Sequence, residues 1–247
     1  MTTIPSGALG GAAVSAVALA GVVADLAAGL PLPADVALAV SGTCRRIARV
    51  AAPRAFSAAD VAAIGVDLVA AIQAAARGAE AGDASAGLYA AASRTQACVP
   101  VSASPVLTRL YRFAAMLAAS CEVACLGEAF LAEARTGFAD RRAASAARVR
   151  IRNAYDGASD RVAVLLGQPA LMLLDSVARE ASAHLVQEAT SLRPVVLVQA
   201  GGSVPAAALG WSLYGDPERA AELMARNAVG TPFHMPATIE AVALSAS

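Results

Sequence analysis

From residue 7 to residue 191 the chain is built on one pattern: small apolar side chains, mostly alanine, returning every three or four positions between short breaks. That spacing is the α-helical period, and it leaves little room for a sheet. Apolar residues make up 57% of the 247 residues, yet aromatics make up only 4%. Burial energy scales with apolar area, so an alanine core yields little per residue unless helices approach closely. The pattern predicts a mainly α protein whose helices press together and take part of their burial from partner chains.

The breaks divide this region. "GALGGAAVSAVALAGVVADLAAGL" (7–30) reads as one helix or two, stopped by Pro31 and Pro33, with Asp35 placed to cap the next over 34–51. In 56–83, Ser57 as N-cap with Asp60 three residues on, then Val61, Ile64, Leu68 and Ile72, predicts a helix ending near Gly82. Further helices are expected over 84–94, 105–135, 138–165 and 168–191. Segment 7–30 has the length of a membrane span, but Asp25 interrupts it and its alanine and glycine carry little transfer energy into lipid. It also lacks the basic start of a signal peptide. Burial in an assembly is expected, and no membrane.

Charge narrows the function classes. The 19 basic residues balance 19 acidic ones, and every basic residue is arginine. A neutral chain is a poor candidate for gripping nucleic acid, which needs a basic face. Arg141, Arg142, Arg148, Arg150 and Arg152 share one helical stretch and read as a solvated or interface face. Cys44, Cys98, Cys121 and Cys125 lack a zinc spacing and read as reduced thiols, mostly buried. Only two histidines exist, His184 and His234, and neither stands with a nucleophile or a paired carboxylate. The glycine turn "QAGGS" lacks the lysine of a phosphate loop. No catalytic residue, metal site or cofactor is therefore expected, and the chain does not read as an enzyme.

After Arg193-Pro194 the grammar changes. "VVLVQ" (195–199) is a β-branched run closed by Gly201-Gly202, a strand and turn. A helix follows, with Ser203 as N-cap, ending at Gly215. Gly215 is placed to supply a left-handed C-cap, Asp216 to cap the next helix with Pro217 at its first position, and Asn227 to close it. A last strand is expected in 236–244. The organisation is thus a helical region over 1–191 and a small α+β domain over 192–247, strand–helix–helix–strand. Trp211, Tyr214, Phe233 and Met235 stand out as anchors for a partner, with Tyr214 packing under the corner.

"VLVQAGGSVPAAALGWSLYGDPERAAELMARNAVGTPFHMPATIEAVAL" resembles a LysM-type domain, with Leu209, Leu213 and Leu223 as its small core. Together with the arginine-rich helix, the helix over 168–191 and the Arg-Pro link, it resembles the C-terminal half of the DNA-circularisation protein family of Mu-like phages. Residues 1–100 lack the strand-bearing domain usual in that family. The resemblance implies a structural virion protein at the baseplate or tail hub of a contractile tail, present in several copies in a symmetric ring. Its partners would be other hub proteins and the tail tube or the end of the tape measure. Arg141, Arg142 and Arg148 would meet acidic neighbours. The alternative is a peptidoglycan-binding module, using Gly201, Gly202, Ser203 and the 228–234 loop. A third is a DNA-circularising protein delivered with the genome.

Overall fold

A computed structural model describes residues 6–243. It is mainly helical, with one two-stranded antiparallel sheet. The chain forms two compact units, the first from residues up to Thr136 with Val149–His184, the second from Gly137–Arg148 with Leu185 onward. The small unit thus takes in stretches of two long helices besides the expected 192–247.

In the first unit the expected helices appear as α1 (Ser6–Gly29), α2 (Ala34–Arg46), α3 (Ala58–Gly78), α4 (Ala81–Thr95), α5 (Pro105–Leu110) and α6 (Arg112–Arg135). To these it adds the parts of α7 (Arg141–Leu166) and α8 (Gln168–Ser191) that belong to it. α6 packs against α1, α3 and α4. Small residues make this possible. A Cβ on Gly11 would sit 2.7 Å from the Tyr111 ring. Phe130, Leu19, Leu68, Ile72 and Leu88 fill what the alanines leave.

The capping box is formed as expected: Asp60 N–H donates to Ser57 Oγ, and Ser57 N–H to Asp60 Oδ2. Two boundaries differ. α3 stops at Gly78, because Ala79 turns extended, and Gly82 lies inside the first turn of α4. The expected single helix over 105–135 is two, broken at Tyr111, whose ψ of 6° leaves the helical range while its ring lodges against Gly11. A five-residue π turn, Ile47–Ala51, continues α2 and brings Ile47 into the core.

α6 also buries charge. Glu122, Glu128 and Glu133 are all inside, each met by an arginine: Arg161, Arg77 and Arg150. Arg161 and Arg150 bind through both Nε and a terminal nitrogen, the fork geometry that suits a carboxylate. α1 from Gly7, α3 and α6 are each long and apolar enough to cross a membrane by length and composition, with mean hydropathy 1.9, 1.6 and 1.5.

In the second unit β1 (Val195–Gln199) pairs with β2 (Thr238–Val242), Leu197 opposite Glu240. Between them lie α9 (Ala206–Tyr214), a 3₁₀ turn Pro217–Arg219 and α10 (Ala220–Arg226). Leu209 and Leu223 are buried with Ala206, Met235, Ile239 and Ala241, and Leu213 packs beside them. Ser203 does not cap α9. Pro205 holds the N-cap position, and the free Ala206 N–H donates instead to Pro232 O at 2.7 Å. The last strand is shorter than expected, and Leu244 lies outside the described residues.

Candidate functional site

The residues expected to matter gather in the second unit, and the structure sorts them into a corner, a tie, a charged seam and two exposed aromatic side chains. The corner is Gly215-Asp216-Pro217. Gly215 adopts φ 71°, the left-handed cap, and its N–H reaches Trp211 O at 2.8 Å. Asp216 accepts from Glu218 N–H at 2.9 Å, and Pro217 opens the 3₁₀ turn that leads into α10. Gly210, not singled out by sequence, is what allows the corner to close. A Cβ there would lie 2.8 Å from Asp216 O. Helical phase could have hinted at it, since position 210 falls on the same face as Ala206 and Leu213.

Tyr214 sits at the turn as expected. Its hydroxyl accepts from Val242 N–H at 2.9 Å, and the Arg219 guanidinium lies 3.6 Å from its ring centre. It is half-buried and committed within the unit.

Asn227 does more than end a helix. Its Nδ2 donates to Leu223 O (2.8 Å) and to Glu240 O (3.0 Å), and its Oδ1 accepts from Glu240 N–H (2.7 Å). The side-chain amide pairs with the peptide groups of residue 240 as a neighbouring strand would, and so ties α10 to β2.

The arginines divide. Arg141 closes the end of α8: its N–H, Nε and a terminal nitrogen donate to the carbonyls of Arg193, Ala189 and Leu192. Arg142 pairs with Glu240. Arg148 is exposed and has no acidic partner among the described residues. Arg150, expected on the same solvated face, instead reaches the buried Glu133, and Arg152 pairs with Asp156. The face is therefore not a continuous basic stripe. Helical phase separates these positions, and nearby carboxylates claim most of them.

Sequence reading also missed Asp140 and Arg226. Arg226 donates to Asp140 Oδ2 at 2.6 Å with both side chains largely buried, and Asp140 Oδ1 accepts from Ala143 N–H at the start of α7. Burial works against the Asp140 charge. The Arg226 and backbone hydrogen bonds outweigh it and hold the carboxyl below its ordinary value.

Of the four proposed anchors, Trp211 is 65% and Phe233 68% exposed. Met235 is 1% exposed and belongs to the core, so it cannot present a surface as expected. Its N–H donates to Val204 O, which draws the loop inward at that residue and leaves Phe233 outside.

His184 and His234 are exposed. Cys44, Cys121 and Cys125 are buried free thiols, Cys98 a half-buried one. Burial pushes Cys121 up to about 12. Among the described residues no three metal-binding side chains come together. No family model matches the chain, and no curated protein matches it.

Proposed function

We propose that the chain is a structural virion protein of a contractile phage tail, clipping baseplate or tail-hub subunits together, and that its second unit is a LysM-like domain serving as the clip. The order strand, helix, helix, strand, with the two strands paired antiparallel, supports the domain reading. One observation carries the function: Trp211 and Phe233 stand out of a small unit whose corner, tie and charged seam are otherwise committed internally. Tryptophan is one of the residue types in which protein interfaces concentrate their binding energy, and phenylalanine is enriched at their cores. Arg148, exposed and without an acidic partner among the described residues, supplies a charge for an acidic neighbour.

The test is location. Peptide mass spectrometry of separated heads and tails from virions of the encoding phage, with antibody labelling in the electron microscope, is expected to place the protein at the tail tip. Signal in heads alone, or in no virion fraction, overturns the proposal. Sedimentation of the full chain with insoluble peptidoglycan would favour the glycan-binding reading, and DNA affinity falling steeply with salt the DNA-circularising one.

A further inference from the structure

One end of the first unit is both basic and apolar. Ala58, Val61 and Ala62 at the start of α3, with Phe113, Met116 and Leu117 at the start of α6, line a groove of about 520 Å³. The groove follows α3 as far as Gln73, about 22 Å at 1.5 Å rise per residue. Beside it the outer face of α3 exposes small and apolar side chains at Ala59, Ala63, Val66, Ala70 and Ala74, Val66 at 69%, with Asp67 and Gln73 at its margins. A water-facing helix normally shows polar residues there.

The same end gathers arginine. Arg49 and Arg54 stand on the chain leading into α3, followed by Phe56, which is 78% exposed. Arg109 and Arg112 stand at the entry to α6, behind the exposed Val106. All four arginines are exposed, and none has an acidic partner among the described residues. The sequence explains why. No Asp or Glu occurs between Asp35 and Asp60, nor between Asp83 and Glu122. Asp60 is held in the Ser57 capping box, and Glu122 is buried on Arg161. A neutral chain thus carries uncompensated positive charge on the two segments that lead into the helices lining the groove.

We propose that this end of the unit binds an anionic lipid bilayer, with the arginines on headgroup phosphates and Phe56, Val106 and the groove mouth meeting acyl carbon. Basic residues interleaved with large exposed apolar ones are the chemistry of an interfacial membrane site. A nucleic acid would use the arginines and leave Phe56, Val106 and the groove mouth in water. A second copy docked mouth to mouth would set arginine against arginine. The inference is independent of the tail proposal, since it rests on residues of the other unit.

The test is co-sedimentation of the full chain with phosphatidylcholine vesicles, with and without about a third phosphatidylglycerol. Binding is expected to the anionic vesicles alone and to weaken as salt rises. R54Q/R112Q should lower the partition coefficient by on the order of tenfold or more, at the usual contribution of a basic residue near an anionic surface. F56S/V106S should lower it as well, while R135E, at the opposite end of α6, should not change it. Circular dichroism of each variant checks that the helices persist. No binding to anionic vesicles, equal binding to neutral ones, or binding indifferent to the Phe56 and Val106 changes overturns the proposal. So does duplex DNA displacing the vesicles with F56S/V106S binding DNA as the parent does, which would assign the arginines to nucleic acid.

Discussion

Asn227 shows how much a single side chain can hold in a small unit. Three hydrogen bonds at 2.7–3.0 Å join it to Leu223 and to both peptide groups of Glu240. N227A leaves the residue 240 groups without their partner and should lower the unit's stability by roughly 2–3 kcal/mol. Trp211 is the chain's one tryptophan, so urea unfolding followed by its fluorescence reports on this unit. Ala228, the next residue, sits at φ 51°, where a Cβ is strained. A228G relieves that strain and should raise stability by about 0.5–1 kcal/mol in the same measurement. The sequence made Asn227 visible as a helix end. Its tie to β2 was not legible, because residues 227 and 240 meet only once the strands have paired.

At the scale of elements, helices were readable where a local cap or breaker set them and less so where tertiary contact did. Ser57 and Asp60 fixed the start of α3 from four residues of sequence. At the break, the Tyr111 ring packs against Gly11, a hundred residues away on α1, a contact that no local window contains. The junction of α7 and α10 is likewise non-local, and it is sensitive to acid. Asp140 is held below its ordinary value, so its contribution is complete above the unfolded carboxyl value of about 4 and is lost as pH falls through the lower folded value. Stability of the unit should therefore drop in acid below about pH 4. D140N should remove that part of the acid dependence and cost about 1–3 kcal/mol at neutral pH, since it leaves the largely buried Arg226 with only the longer Glu222 contact at 3.4 Å. Trp211 fluorescence in urea at stepped pH checks both.

For the whole molecule, the proposed clip requires exposed aromatics that contribute to assembly without contributing to folding. W211A/F233A should leave the helical circular dichroism and the thermal midpoint nearly unchanged, because both side chains are mostly in water. The same variant should fail to co-fractionate with tails when it replaces the parent during infection. Loss of folding in the variant would mean that these residues serve the unit and not a partner. Met235 marks the limit of the sequence reading here. Beside Phe233 in a proline-flanked loop it looked like a surface methionine, and only the Val204 contact shows that it turns in.

What the sequence determined by itself was local: the 3.6-residue period of small side chains that makes the chain mainly helical, the Ser57–Asp60 cap, the 195–199 strand and the Gly215-Asp216-Pro217 corner. Each depends on residues within a few positions of one another. The tertiary structure alone decided that Arg150 met Glu133 and Arg226 met Asp140, that Met235 was core and Phe233 surface, and that the starts of α3 and α6 line one apolar groove. Those outcomes depend on contacts between residues far apart in the chain, and a charge or an apolar side chain carries no local mark of what will face it.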